Sequence, residues 1–325
     1  MTAFAADTYS LVADVGGTNT RVALAEGARL LPETIRRYKN ADYAGLETVL
    51  RTYLDEEGGV DCRGASVAVA GPVRDGRGVL TNLDWAIDKE TLARATKAEV
   101  VAVLNDLQAQ GHALGRIDAS NVQTVVTGPA PQPHAARLVI GVGTGFNAAP
   151  VYDTGTGRYV PPSEAGHANM PIRTEAELRL CKYVETAHGF PAIEDVLSGR
   201  GLERVHHWLS SEAGKPAELK AADIMAACEA GTDPIARDAV AMFVRILGTV
   251  AGNLSLIHLP FGGVYLVGGV SRAISPYFST FGFAEAFRDK GRFAGFMQNF
   301  AIHVVEDDYA ALIGLAGHLD SQFPK

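Results

Sequence analysis

Cysteine is scarce in this chain, and the three present, Cys62, Cys181 and Cys228, are far apart, odd in number and form no CxxC pair. That pattern argues against a disulfide framework and against a thiolate zinc site. An excess of positive charge is also missing: 29 Lys and Arg stand against 37 Asp and Glu, a formal charge of −8. Without a basic field to meet a phosphate backbone, nucleic acid is not an expected partner, and small metabolites are. Met1 to Thr8 lacks a basic segment leading into an apolar one, so no signal peptide is read there and a cytoplasmic location is expected. The longest apolar segment, Ala239 to Leu259, is broken by Arg245, Gly248, Gly252, Asn253 and His258. It reads as a buried helix, and no membrane partner is expected. Nor does any Pro-, Ser- or Gly-rich linker mark a domain boundary.

What the 325 residues do contain is a recurring pattern of short apolar, β-branched runs separated by helical stretches and glycine turns. The runs are Leu11 to Val15, Ser66 to Ala70, Val100 to Leu104, Leu138 to Val142 and Val264 to Val267. Such alternation predicts an α/β protein with buried sheets, long enough for two lobes. One segment occurs twice. Leu11-Val12-Ala13-Asp14-Val15-Gly16 matches Leu138-Val139-Ile140-Gly141-Val142-Gly143 at four of six positions, and a Thr/Gly/Asn turn and a second extended stretch follow each copy. Two similar buried strands would give this by chance, and so would a duplicated glycine hairpin, the reading preferred here. Two such hairpins, one from each lobe, would clamp a polyphosphate from both sides.

In the first hairpin, Asp14-Val15-Gly16-Gly17-Thr18-Asn19, glycine lets several backbone N–H groups converge on one anion, with Thr18 and Asn19 as neutral donors. Asp14 ends the strand, where a carboxylate suits the water shell of Mg²⁺. Taken alone, the segment reads first as an ordinary hairpin turn. Gly141 to Phe146 superficially matches a dinucleotide fingerprint, but Phe146 occupies the third glycine position and an extended stretch follows. Neither turn is followed by the Gly-Lys-Ser/Thr of a Walker loop. Asn105-Asp106, between an apolar run and a helical pattern, reads either as a helix N-cap or as a base with a hydroxyl-binding neighbour. Glu164 and His167 sit three residues apart in a Pro- and Gly-bearing loop, a pair suited to sugar hydroxyls and too few for zinc. Glu194, taken alone, reads as a solvated helix residue. Gly262 to Gly269 reads as a strand with glycine pairs at both ends, open to close approach of an adenine or ribose.

In their order these segments resemble the bacterial glucokinase family, the ATP-dependent hexokinases that lack the cysteine zinc motif of many wider relatives. The resemblance is carried by Asp14 to Asn19, Ala70-Gly71-Pro72-Val73, Thr81-Asn82, Trp85, Asn105-Asp106, Gly143-Thr144-Gly145, Glu164, Gly166-His167, Leu197 to Leu202, Gly262 to Gly269 and Ala286 to Lys290. It implies a two-lobed actin-like ATPase fold of duplicated ribonuclease H-like domains. The small domain would comprise 1–110 plus 306–325, the large one 111–305, closing over sugar and ATP to exclude water. It further implies Asp106 as catalytic base, with Asn82, Asn105, Glu164, His167 and Glu194 on the sugar. Asp14, Val15, Gly16, Gly17, Thr18, Asn19, Gly143, Thr144, Gly145, Gly268 and Gly269 would face ATP, and Asp14 would hold Mg²⁺ through water. The family also suggests a homodimer, with the apolar helix around Ala239 to Leu259 contributing to its interface.

The chain departs from the family pattern in two places. Gly-Thr-Gly-Leu-Gly is here Gly143-Thr144-Gly145-Phe146-Asn147, and Gly-Glu-Gly-Gly-His is Ser163-Glu164-Ala165-Gly166-His167. Asn147 is expected to keep a left-handed turn, whereas Ser163 and Ala165 would be strained if their φ were positive. Base and acid are spared, so kinase chemistry on glucose is expected. A kinase of another hexose or amino sugar, or a non-catalytic ATP or sugar sensor, are the alternatives.

Overall fold

Leu11, Val12, Ala13 and Val15 are all fully buried in the strand Tyr9–Val15 (β1), apolar toward both faces because its sheet is covered on both sides. The computed structural model describes residues 8–80 and 84–323, which divide into two compact units. The first holds the chain up to Ala119 together with 154–162 and the stretch from Asp307, and the second holds Ser120–Asp153 and Ser163–Glu306. The boundary thus lies beyond the one near residue 110 read from the sequence, and 154–162 groups with the first unit rather than the large one.

In the first unit β1 pairs antiparallel with Asn19–Glu26 (β2), which also carries Arg29–Leu30 (β3) and Arg36–Lys39 (β4). After the helix Leu46–Glu56 (α1) comes Cys62–Val69 (β5), parallel to β1. Three two-residue strands, Val73–Arg74 (β6), Arg77–Gly78 (β7) and Ile87–Asp88 (β8), form a small separate sheet. The helix Lys89–Thr96 (α2) leads to Val100–Asn105 (β9), parallel to β5, and then to the helix Asp106–Ala113 (α3). Leu46, Val49, Leu50 and Tyr53 of α1 and Leu92 of α2 cover one sheet face, packed with Leu11, Ala13 and Val67.

The second unit repeats this plan. Val122–Val126 (β10) and Arg137–Val142 (β11) precede Phe146–Asp153 (β12), which pairs antiparallel with β11. The strand Arg158–Tyr159 (β13) lies in the excursion that belongs to the first unit. Helices Glu175–His188 (α4), Gly199–Glu212 (α5), Ala221–Ala230 (α6) and Pro234–His258 (α7) follow. Next come Val264–Val267 (β14), parallel to β11, Gly269–Ile274 (α8), Phe283–Arg288 (α9) and Ile302–Val305 (β15), parallel to β14. The order β2-β1-β5-β9 in one sheet and β12-β11-β14-β15 in the other is one antiparallel hairpin followed by two parallel strands, twice. The repeated hexapeptide falls on the equivalent strands β1 and β11, each followed by a glycine turn and an antiparallel partner.

The helix α7 begins at a strong start signal, with Asp233 accepting from Ile235 N and Pro234 in the first turn. Among the described residues it is the one helix long and apolar enough to cross a bilayer, but 78% of its most apolar window is buried within the protein. It is a core helix, packed with α5, α6 and α9. The chain ends in the helix Ala310–Asp320 (α10), in the first unit, where Leu312 and Leu315 cover the second face of the sheet with Val12, Ala68 and Leu104.

Candidate active site

In the first unit the parallel register of β1, β5 and β9 sets Val15, Val69 and Asn105 in one row. The three strands therefore end together, and the Gly16–Thr18 turn, Ala70-Gly71 and Asp106 share one edge of the sheet. Two strand spacings, roughly 10 Å, separate the turn from the start of α3. Strand ends of this kind are where α/β sheets collect ligands.

The turn is held from behind. Gly16 N donates to Asn19 O at 3.0 Å. Asn40, 2% exposed, donates through Nδ2 to Gly16 O at 2.8 Å and accepts from Thr20 Oγ1 at 2.8 Å. Gly17 and Thr18 are left exposed with Val15 buried beneath them, so the turn presents backbone rather than side chain. Sequence reading missed Asn40, which lies 24 residues from its partner with no local signal to connect them. Asp14 lies opposite Arg21 in the β1–β2 register, its carboxylate 3.7 Å from Arg21 Nη1, which also donates to Asp308 O. Burial raises the Asp14 carboxyl above its ordinary value, with Arg21 pulling it down.

Asn105 is the N-cap of α3. Its Oδ1 accepts from Leu107 N at 2.9 Å, its backbone N donates to Gln108 Oε1 at 3.1 Å, and its Nδ2 donates to Gly71 O at 2.9 Å. The Oδ1 also accepts from Gln108 N in a capping box, while the amide nitrogen keeps one further hydrogen to donate, so capping and donation to a hydroxyl are compatible. The Asp106 carboxylate accepts from Leu107 N at 2.8 Å, which fixes its rotamer at the strand end. Gln108 also donates to Val160 O at 2.8 Å, so the 154–162 excursion braces the first turn of α3. Asn82 lies outside the described residues.

In the second unit β11 and β14 end side by side, with Gly141 opposite Val267, so that Gly143 and Gly268 are neighbours. Gly268 has φ +100°, and a Cβ there would lie 2.5 Å from Val142 O, so glycine is required at that position. Gly143 O accepts from Gly199 N at 2.9 Å, which ties the turn to the start of α5. Thr144 and Gly269 meet no such obstruction, Thr144 being exposed and Gly269 open.

Glu194 lies in a turn before α5, not in a helix. Its Oε2 accepts from Phe146 N at 2.9 Å, and its backbone N donates to Gly166 O at 2.9 Å. A Cβ on Gly145 would sit 2.5 Å from that carboxylate, and one on Gly166 would sit 2.0 Å from Phe146 O. Gly145, Phe146, Gly166 and Glu194 are thus one tight knot, and Glu164 and His167 project from it, 3.9 Å apart and both more than half exposed. Carboxylate and imidazole together match the donor and acceptor faces of neighbouring hydroxyls.

The expectation for Asn147 is corrected. It does not hold a left-handed turn but lies within β12, opposite Gly141. Among the described residues the non-glycine positions with positive φ are Asp75, Lys97, His134 and Leu259, so Asn147, Ser163 and Ala165 carry no such strain.

The glucokinase family model matches residues 11–322. The glucokinase of Neisseria meningitidis serogroup C (strain FAM18) is 32% identical over 312 residues, 96% of this chain and 94% of that one. The chain belongs to the glucokinase family. Among solved structures, a glucokinase from an Antarctic psychrotroph is similar with a TM-score of 0.85 at 29% identity, covering 96% of this chain and 98% of its own. The Balamuthia mandrillaris glucokinase, solved in complex with glucose, has a TM-score of 0.80 at 23% identity, covering 97% and 93%. The family fold is the actin-like ATPase fold, and the twice-used hairpin-and-two-strand plan described above is its duplicated unit.

Proposed function

We propose that the chain transfers the γ-phosphoryl group of ATP to the 6-hydroxyl of D-glucose, releasing glucose 6-phosphate and ADP. The observation that carries this reading is the common end of β1, β5 and β9, which puts an exposed glycine turn and the Asp106 carboxylate on one edge. Family membership supports both substrates, since relatives at 32% identity over nearly the whole chain are named glucokinase.

Phosphoryl transfer asks the protein mainly for positioning and charge stabilisation. Asp106 takes the proton of the attacking hydroxyl as its oxygen bonds to phosphorus and the bond to the β-phosphate oxygen breaks. Backbone N–H groups of Gly17 and Thr18, with the Asn19 side chain, hold phosphate oxygens, and the Gly16 N–H closes the turn on Asn19 O. Gly143, Thr144, Gly145, Gly268 and Gly269 serve the nucleotide from the second unit. Asn105, Glu164, His167 and Glu194 hold the other sugar hydroxyls.

Asp14 fits Mg²⁺ that keeps most of its water, because it is a single half-buried carboxylate and no cluster of three or more His, Cys, Asp or Glu exists among the described residues. When bound there, Mg²⁺ would neutralise phosphate charge. The same reading includes a homodimer, a cytoplasmic location and an entry role in glycolysis. A coupled ADP-release assay over a panel of hexoses and amino sugars tests it, with glucose expected to give the largest kcat/KM. A larger value for another sugar would favour the second reading, a kinase of different sugar preference, which Asn147, Ser163 and Ala165 motivate. No sugar-dependent turnover at all would sink both.

A further inference from the structure

The three residues that replace glycines of the family pattern, Asn147, Ser163 and Ala165, are in contact. Asn147 Oδ1 accepts from Ala165 N at 2.9 Å and from Ala148 N at 2.8 Å, while its Nδ2 donates to Ser163 O. Two N–H donors at one end and a carbonyl at the other fix which way round the amide lies. The carbonyl of Ser163 and the N–H of Ala165 belong to the two peptide groups that flank Glu164. Between those fixed peptides, Glu164 takes φ −127° and ψ 48°, neither extended nor helical. One side chain therefore sets both backbone dihedrals of Glu164, and with them the direction of its Cβ.

We infer that Asn147 is a positioning residue for Glu164: it replaces a glycine-rich loop with a loop clasped to β12, and thereby sets the affinity for the sugar. This rests on the reading of Glu164 as a sugar ligand given above. The chemistry is one-sided. A glycine at 147 offers no side-chain donor or acceptor to the loop. The loop residues Ser163 and Ala165 have negative φ, so their side chains fit the clasped form without strain. The far end of the loop is anchored independently, by Glu194 N to Gly166 O, so the near end is where Asn147 decides the geometry. The hydrogen bonds of the Asn147 side chain go to Ser163, Ala165 and Ala148, outside Gly143 to Gly145. The clasp should therefore act on sugar and not on ATP.

The test compares Asn147→Ala and the isosteric Asn147→Asp with the parent chain, measuring KM for glucose, KM for ATP and kcat. Glucose binding without ATP is followed calorimetrically. Asn147→Ala is expected to raise KM and Kd for glucose about tenfold, the loss of a small set of partly exposed hydrogen bonds, with KM for ATP within about twofold. Asn147→Asp keeps the acceptor toward Ala165 but sets an oxygen against Ser163 O, so it too is expected to weaken glucose binding. Because it preserves shape, it keeps the test valid should the alanine variant fold poorly. Unchanged glucose binding in both variants, or equal losses for glucose and ATP, overturns the inference. A parent chain that turns over no sugar would overturn the functional reading instead, and the two failures are distinguishable because the parent is measured first.

Discussion

The carboxylate of Glu194 accepts from the Phe146 amide at 2.9 Å, while the backbone N–H of Glu194 reaches Gly166 O at the same distance. A single residue thus ties the glycine turn after β11 to the loop carrying Glu164 and His167. Its acid serves the fold and, in the proposed reaction, the sugar, and the two roles separate by substitution.

Glu194→Ala leaves the Phe146 N–H without its side-chain acceptor, which costs about 1–3 kcal/mol for a mostly buried donor. For a chain of this size that lowers Tm by several degrees. Glu194→Gln retains an acceptor at the same place and is expected to melt near the parent, yet it loses the charge-assisted bond to the sugar and keeps a raised glucose KM. Thermal denaturation and sugar kinetics on both variants check this. Equal melting temperatures for Ala and Gln would refute the structural half.

Asp106→Asn is expected to lower kcat by about two to four orders of magnitude, the usual worth of a positioned base. Asn still offers an oxygen to Leu107 N, where Asp106 now accepts at 2.8 Å, so the helix start is preserved. Tm and ATP affinity should therefore hold while turnover collapses. Near-parental turnover would remove Asp106 from the mechanism.

Much of this site is visible in the sequence because its signals are local. The strand, glycine turn, strand arrangement occupies contiguous residues in both copies, and the Asn-Asp pair before a helical pattern marks the start of α3 whatever else it does. The rest depends on partners distant along the chain. Asn40 holds Gly16 across 24 residues, and Asn147 holds Ser163 and Ala165 across 16 and 18. Family pattern made Asn147 look like a substitute for turn glycine, since spacing shows that a glycine is missing but not that the position belongs to a strand. The excursion 154–162 was invisible for the same reason: its brace on α3 is a bond from Gln108 to a backbone carbonyl 52 residues away, which leaves no mark on side-chain periodicity.

Asp14 predicts a trade between stability and function. Burial, opposed by Arg21, raises its carboxyl above the ordinary 3.8. An acid shifted up in the folded state stabilises the fold fully below its unfolded pKa and loses that contribution as pH rises through the folded value. At neutral pH the ionised Asp14 is therefore a net cost to the fold, moderated by water because its side chain keeps 23% exposure. Asp14→Asn should melt at or above the parent near pH 7, with the difference shrinking toward pH 4. Adding Mg²⁺ and ATP should raise the parent's Tm more than the variant's, since stabilisation follows ligand affinity. A variant that melts lower at neutral pH would contradict the argument.

Two glycines of α10 provide the last test, because they face obstacles of different stiffness. A Cβ on Gly314 would lie 1.8 Å from Ala109 O and 2.9 Å from Ala113 N, both backbone atoms of α3. A Cβ on Gly317 would meet only the Arg116 side chain, with Nε at 2.5 Å. Alanine gains up to about 1 kcal/mol of helix propensity over glycine at either position. At Gly317 the Arg116 side chain swings aside, and Gly317→Ala should be neutral or slightly stabilising. At Gly314 the whole of α3 must shift, a strain of about 1–3 kcal/mol that outweighs the propensity gain. Because Asp106 is the first residue of α3, Gly314→Ala is also expected to lower kcat, whereas Gly317→Ala is not. Thermal melts and turnover of the pair decide the matter: equal behaviour of the two variants would mean that close packing of α10 does not hold α3 in place.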